Sequence, residues 1–381
     1  MKKILIIMNC DFRVQGGTEN YNLMLMDILY KYYQNFEIDL FIADSPKRPL
    51  LPSKYKIKLV YCHTNKTNDT NKSIRYTYSF IENQFTNRRE FKKIYKQYDL
   101  ILNSSLVCFP IAKKLNNYYL IQHTLFRWYV PILIDNKSIR NIIRKLIWLL
   151  TKTYNLVKYT KNLIVYDNEC KQYVLPYCDN ANVIEIALPS KINAIALNDL
   201  NAKKPQRIMF LGRIAEQKNI ELLIEINKSL HLIDFYGQPS DEYGKKYLQI
   251  LIKNNWYKGF VNDKKTLIAT LNQYKFMILY SKYEGFSFSL VEALSQGVPI
   301  IVKNTYLSAS FLCNDKTGLL LPKNTSVEED IQLIKKFISM SDEQYHQYQI
   351  NCVNFYNENL NMEIFTNKWR KIFDQYLDKK E

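Results

Sequence analysis

Two doubly wound α/β domains followed by C-terminal helices are the fold this sequence predicts, and three observations predict it. Short apolar runs alternate with helical patterns along most of the chain. The length of 381 residues suits about two domains. A polar, proline-bounded stretch near the middle interrupts the alternation.

The first strand is expected at about 3–9, where Ile4-Leu5-Ile6-Ile7-Met8 follows Lys2-Lys3. Without a small-residue cleavage site the run reads as a strand rather than a leader peptide. A helix from about 18 to 33 comes next, then further apolar runs at 38–42, 57–61, 100–102 and 118–121, with a helical pattern from Phe85 to Tyr98. The stretch 189–206, bounded by Pro189 and Pro205 and carrying Asn198, Asp199, Asn201 and Lys203-Lys204, reads as a linker. Beyond it strands are expected at 207–211, 232–236, 257–260, 276–280 and 298–302. Helices fall between them at 220–230, 242–253, 264–271 and 288–296, and the tail from Ser326 is mostly helical. The expected organisation is therefore 1–188, a linker at 189–206, a second domain at 207–360, and a C-terminal helix at 361–381 able to pack back on the first domain. Two such domains create a cleft, where strand ends and helix N-termini of both can face a ligand.

Composition removes several classes. Hydrophobic residues make up 47% and charged residues 23%, enough for sizeable cores. No apolar run approaches the ~18 residues of a membrane-spanning helix. The cysteines at 10, 62, 108, 170, 178, 313 and 352 are scattered without Cys-x-x-Cys, which favours a reduced, cytosolic setting. The net charge of +17 accompanies 30 tyrosines and only 9 glycines, a balance that an A- and T-rich coding sequence also yields, so its distribution matters more than its size.

The richest segment is Ser281-Lys282-Tyr283-Glu284-Gly285-Phe286-Ser287-Phe288-Ser289-Leu290-Val291-Glu292. A strand ends near Tyr280, a loop with one glycine follows, and a helix starts near Phe288. The backbone N–H groups of Phe288, Ser289 and Leu290 would then form an anion site. Glu284 precedes that site and Glu292 lies about one turn into the helix, where a carboxylate can accept hydrogen bonds from paired hydroxyls such as those of a ribose. A second segment, Phe210-Leu211-Gly212-Arg213-Ile214-Ala215-Glu216-Gln217-Lys218-Asn219, sets Arg213 and Lys218 beside another helix start. A planar fork and a mobile point charge together suit a diphosphate. Near the N-terminus, Gly16-Gly17-Thr18-Glu19 follows the first strand. The glycines let backbone approach a phosphate or sugar, Thr18 is a candidate cap, and Glu19 falls in the first turn. His123 sits at a strand end; His63, His231 and His346 lack a partner pattern and read as structural. There is no full Gly-x-Gly-x-x-Gly, which disfavours a dinucleotide cofactor. There is also no Asp-x-Asp, the pair that a transferase holding its diphosphate through Mg²⁺ or Mn²⁺ generally needs; Asp167-Asn168-Glu169, the nearest approach, reads as a strand-end loop.

These segments together resemble the GT-B glycosyltransferases of glycosyltransferase family four, which retain the anomeric configuration. The resemblance covers most of the chain and is specific in its C-terminal half. It implies two Rossmann-like domains facing across a cleft. Glu284 and Glu292 match the family's Glu, seven residues, Glu pattern, which implies Glu284 by the donor sugar and Glu292 on the nucleotide ribose. Arg213 and Lys218 match the pair that holds the donor diphosphate, and Gly16 and Gly17 a glycine-rich loop facing the donor phosphates. His123 matches a histidine that touches donor sugar or acceptor. The implied catalytic set is Glu284, His123, Arg213 and Lys218; the implied donor-binding set is Gly16, Gly17, Arg213, Lys218, Phe288, Ser289, Leu290 and Glu292. Departures from the family are Pro189-Ser190-Lys191 in place of Pro-Asn-Gly, Ser287 at a position where glycine or another small residue is common, Asn219 where glycine is frequent, and a single glycine in Tyr236-Gly237-Gln238-Pro239.

The expected activity is transfer of a sugar from a nucleotide-sugar, UDP-linked by expectation, to a glycan or lipid-linked acceptor in surface polysaccharide or lipopolysaccharide synthesis. No cofactor and no metal are expected. Front-face attack, with the leaving phosphate taking the acceptor proton, is the mechanism proposed for the family. Residues 137–161 carry Lys137, Arg140, Arg144, Lys145, Lys152, Lys158 and Lys161 without an acidic residue, and Ile139, Ile142, Ile143, Leu146, Ile147 and Leu150 recur at helical spacing around Trp148. Such a helix suits an anionic membrane surface. A cytoplasmic enzyme, peripheral on the inner face of the plasma membrane, is expected, with no nucleic-acid partner. Two rivals are a GT-B nucleotide-sugar 2-epimerase, which would carry more histidines and acids than this chain has, and a non-catalytic polyanion-binding protein, which would bind nucleic acid in a salt-sensitive way.

Overall fold

The computed structural model describes residues 1–9, 12, 16–45, 49–64, 74–123, 139–201 and 204–380, without the side chains of 74–80, 139–141 and 144. Cys10, Lys137 and Lys203, named above, lie outside the described residues, as do the side chains of Ile139, Arg140 and Arg144. The chain divides into two compact units, Met1–Ile186 with Thr366–Glu381, and Ala187–Phe365.

In the first unit the strands are β1 (Lys2–Met8), β2 (Tyr33–Gln34), β3 (Phe36–Ser45), β4 (Ile57–Thr64), β5 (Leu100–Asn103), β6 (Tyr118–Ile121), β7 (Asn162–Val165) and β8 (Asn182–Glu185). Seven of them form one parallel sheet in the order β4-β3-β1-β5-β6-β7-β8. Ile4 to Met8 are wholly buried, as a parallel strand covered on both faces requires. The chain builds outward from β1 to β4, then returns to lay β5 on the other side of β1, so the order reverses between β1 and β5.

The second unit repeats the plan with β9 (Ile208–Leu211), β10 (Ile233–Tyr236), β11 (Tyr257–Gly259), β12 (Phe276–Leu279), β13 (Ile300–Lys303) and β14 (Gly318–Leu321), again parallel, in the order β11-β10-β9-β12-β13-β14. Here the reversal lies between β9 and β12. Two of the connecting helices start at aspartate caps: Asp241 accepts from Gly244 N at 2.6 Å and Asp263 from Thr266 N at 2.9 Å. Two tail helices carry capping boxes, Ser326 with Glu329 and Ser341 with Gln344.

Three local expectations are corrected. The stretch 189–206 was expected as a linker, yet from Ala187 onward the chain is packed into the second unit. Ile192 is buried, Ile195 N donates to Ser295 O at 2.9 Å, and Gln296 Nε2 donates to Asn193 O at 2.8 Å. Thr18 does not cap the first helix, Gly17–Tyr32; Gly16 takes the N-cap position and no side chain caps it. Asp167 is not loop alone: it caps the helix Asn168–Val174, accepting from Cys170 N at 2.8 Å.

The last helix, Met362–Phe373, ends within the first unit. Trp369 is wholly buried there and its Nε1–H donates to Tyr21 Oη at 3.1 Å. Beyond it β15 (Asp378–Lys379) pairs antiparallel with β2, and Tyr33 Oη donates to Asp374 Oδ1 at 2.6 Å. No helix among the described residues is long and apolar enough to cross a membrane.

Candidate functional site

Ligands of open parallel sheets sit beyond the strand carboxyl ends where the strand order reverses. In the second unit that point lies between β9 and β12, which pair through Ile208↔Phe276 and Met209↔Met277. The two segments that sequence reasoning marked, 212–219 and 281–287, are the loops leaving these two neighbours. Nothing in the linear sequence makes strands some 70 residues apart adjacent; the sheet does.

The first loop is shaped by close backbone approach. Gly237 has φ +151°, and a Cβ there would lie 1.8 Å from Gly212 O, so only glycine lets the loops after β9 and β10 meet. After a short 3-10 turn, Glu216–Lys218, Asn219 adopts φ 55° and the helix Ile220–Leu230 begins. Asparagine tolerates this left-handed conformation, which explains its use where relatives in the resembled family often have glycine. The turn buries Lys218 and leaves Arg213 exposed.

The second loop delivers Glu284, 8% exposed, to the first. Its Oε1 accepts from the Lys218 ammonium and from Ser281 Oγ at 2.7 Å; its Oε2 accepts from Gln217 Nε2 at 3.4 Å. Gln217 also donates to Tyr283 O at 2.9 Å and accepts from Arg213 Nη2 at 2.9 Å. Arg213, Gln217, Lys218 and Glu284 thus form one hydrogen-bonded cluster. Lys282 adds a bond from its N to Gln217 O at 2.8 Å and an ion pair with Glu216 at 3.1 Å. The next loop, after β13, is tied on as well: Thr305 Oγ1 donates to Ser281 O, and Ser308 Oγ to Gly285 O at 3.4 Å. Within it Tyr306 is buried, and its Oη has no hydrogen-bond partner among the described residues.

The helix Phe288–Ser295 follows, and no side chain caps it. Its first-turn N–H groups, those of Phe288, Ser289 and Leu290, are therefore not spent on a cap. Glu292 is partly exposed, but protein surrounds most of it; burial pushes its carboxyl up to about 7, with Lys191 pulling the other way. Gly297, at φ +62°, ends the segment.

His123, Gly16 and Gly17 belong to the first unit. His123 follows β6, and its Nδ1 shares a hydrogen bond with Tyr166 Oη at 2.7 Å. Tyr21 meets the imidazole edge-on at 4.9 Å. Nε2 is buried without a partner among the described residues, and burial holds the ring's pKa down at about 3, so it is neutral at pH 7. Gly16 sits at the N-cap of the first helix, where a Cβ would crowd Glu19 Oε2 at 2.6 Å.

Sequence reasoning gave no role to Gln217, Ser281 or Tyr166. Gln217 lay in plain view between Arg213 and Lys218, but its value comes from the carbonyl and carboxylate that β12 brings alongside. Among the described residues no group of three or more His, Cys, Asp or Glu side chains is arranged to hold a metal ion. The described cysteines, at 62, 108, 170, 178, 313 and 352, are all free thiols.

Residues 195–352 match the family model described as Glycosyl transferases group 1. A curated relative, the GtfA subunit of UDP-N-acetylglucosamine--peptide N-acetylglucosaminyltransferase from Streptococcus pneumoniae, is 24% identical over 188 residues, which is 46% of this chain and 37% of the relative. The chain thus spans little more than a third of that protein's length. Among solved structures, sucrose-phosphate synthase from Thermosynechococcus elongatus superposes with a TM-score of 0.73 at 16% identity, covering 98% of this chain and 99% of its own. WaaG, a glycosyltransferase involved in lipopolysaccharide biosynthesis, gives 0.67 at 11% identity, covering 98% and 99%. At these identities the structural likeness carries the fold: two Rossmann-like halves of the GT-B type with C-terminal helices.

Proposed function

With a group 1 glycosyl transferase domain at residues 195–352 as the premise, we propose that the protein is a retaining glycosyltransferase that moves a sugar from a UDP-linked donor to a glycan or lipid-linked acceptor. The observation that carries this reading is the cluster of Arg213, Gln217, Lys218 and Glu284 at the strand reversal between β9 and β12, beside an uncapped helix N-terminus. The barrier to transfer is rupture of the bond between anomeric carbon and phosphate, which leaves an oxocarbenium-like centre and a diphosphate. Arg213, Lys218 and the N–H groups of Phe288–Leu290 stabilise the departing charge, and no metal or other cofactor is invoked. Removing one such group costs on the order of 10²–10³ in rate. Glu284 orients donor-sugar hydroxyls, Glu292 binds the ribose, and Gly16 and Gly17 admit backbone close to the phosphates. His123, neutral at pH 7, offers Nε2 to sugar or acceptor. Attack comes from the face of the departing diphosphate, whose oxygen takes the acceptor proton.

The donor class is supported by the curated relative, named for a UDP-linked sugar. A role in surface polysaccharide or lipopolysaccharide assembly is supported by the second structural neighbour's printed role. Membrane contact is supported by the helix Ile139–Leu150: Ile142, Ile143, Leu146, Leu149 and Leu150 are 49–74% exposed. At about 100° per residue they fall within roughly 120° of one another, and Lys145, Lys152 and Lys158 lie exposed nearby in sequence. An apolar stripe with adjacent cations fits an anionic lipid surface, and free thiols fit the cytoplasmic side of it.

Radiolabelled UDP-N-acetylglucosamine and UDP-glucose test the reading. Hydrolysis or transfer by the wild type, lowered on the order of 10²–10³ in both Glu284→Ala and Arg213→Ala, is expected; near-normal turnover by both variants would remove the mechanism.

A further inference from the structure

We infer that Gln217 is a positioning residue for the donor site, its amide setting the spacing between the guanidinium that meets phosphate and the carboxylate that meets sugar. The inference rests on the donor-site reading above and adds a residue to it. Three facts lead there. Gln217 uses both ends of its amide at once: Oε1 accepts from Arg213 at 2.9 Å while Nε2 donates to Tyr283 O at 2.9 Å and to Glu284 Oε2 at 3.4 Å. Its backbone joins the same two loops, Gln217 O accepting from Lys282 N at 2.8 Å. Lys218, its neighbour, takes the other oxygen of Glu284, so the two residues between them address both carboxylate oxygens.

The chemistry demands an amide. Arg213 is exposed, and a long cation at a surface is free to wander unless something accepts from it. The backbone carbonyl of Tyr283 and the carboxylate of Glu284 need a donor instead. A side-chain amide carries two N–H donors and an acceptor oxygen in one rigid plane, where a neutral imidazole has a single N–H, and Asn is shorter than Gln by one methylene. Glutamate at 217 would keep the bond to Arg213, lose both donations, and set a second carboxylate against Glu284. Methionine would keep length and volume and lose all three bonds.

Because Gln217 bonds to two groups that meet the donor, its removal acts on alignment in the transition state, where a misplacement of about 1 Å costs up to ~10² in rate. The test uses full-length wild type, Gln217→Met and Gln217→Glu. UDP binding is read by isothermal titration, kcat and KM for hydrolysis of UDP-N-acetylglucosamine and UDP-glucose by product assay, and folding by thermal melting. Expected are melting midpoints close to wild type, kcat lowered on the order of 10- to 100-fold in both variants, and KM moved much less. A double-mutant cycle with Glu284→Gln should be non-additive, as two groups in one contact require. Wild-type kcat in either variant overturns the inference and leaves the donor site standing, as does an unfolded state in both variants, which would make the role purely structural. Wild-type protein that binds no UDP and hydrolyses neither sugar overturns the donor reading and this inference with it.

Discussion

The ammonium of Lys218 is engaged by Glu284, and both residues are buried while Arg213, five residues earlier, stands exposed. Two cations given one task therefore differ in what they do for the fold. Arg213→Ala should lower turnover on the order of 10²–10³ with little change in melting. Lys218→Ala should lose comparable activity and also cost about 3–5 kcal/mol, because it leaves a buried carboxylate unpaired. Equal melting midpoints for the two variants would contradict this assignment.

Glu292 supplies a pH-dependent stability. Its folded pKa of about 7 stands above the ordinary 4.5, so between those values the folded chain holds more protons than the unfolded one. Stability from this group falls as pH rises through that window. Glu292→Gln removes the slope, and melting at pH 5 and pH 8 should show the variant gaining on wild type at the higher pH. An identical wild-type-to-variant difference at both values would refute it.

His123 acts in the opposite sense. Its folded pKa of about 3 lies below the ordinary 6.5, so the unfolded chain binds the proton first and stability falls as pH drops from about 6.5 toward 3. His123→Gln should flatten acid unfolding in this range, as followed by circular dichroism. An unchanged acid transition would mean that the ring is solvated.

The exposed stripe on Ile139–Leu150 makes a physical prediction about membranes. Leu146→Ser with Leu150→Ser should leave melting unchanged, since both side chains are exposed, yet reduce flotation with anionic vesicles. Equal recovery of wild type with and without anionic lipid would argue against the contact.

Tyr306 buries a hydroxyl that has no partner among the described residues. Tyr306→Phe should therefore be neutral to stabilising in melting experiments and leave kcat unchanged. A drop in turnover would show that the hydroxyl serves the reaction.

The second unit was the more legible half. Its strands are short apolar runs alternating with clear helical patterns, and expectations for β9, β10 and β12 fall within a residue or two of the observed bounds. β7, β8 and β14 escaped notice although they are no shorter than β9, β10 or β12, because four residues carry too little periodicity to mark a strand without clear flanking signals. Arg213, Lys218, Glu284 and Glu292 were visible by type and spacing. Their partners were not, because Gln217 and Ser281 become meaningful only when β9 lies beside β12, and strand order is a tertiary fact. Thr18 misled for a local reason: Gly16 can occupy the cap position without a side chain, so the helix begins two residues earlier than a Thr18 cap would allow.

The pairing of Trp369 with Tyr21 makes the first unit discontinuous: its two pieces are residues 1–186 and 366–381, with a whole second unit spelled out between them. During translation, residues 1–186 emerge with the aromatic socket around Tyr21 still open to water. The intervening unit is free to fold first, being continuous and closed by nearby contacts. The earlier-made half then waits for the later-made tail, and a ribosome that stalls before Trp369 leaves a nascent chain with exposed aromatic surface, a natural client for chaperones or proteases.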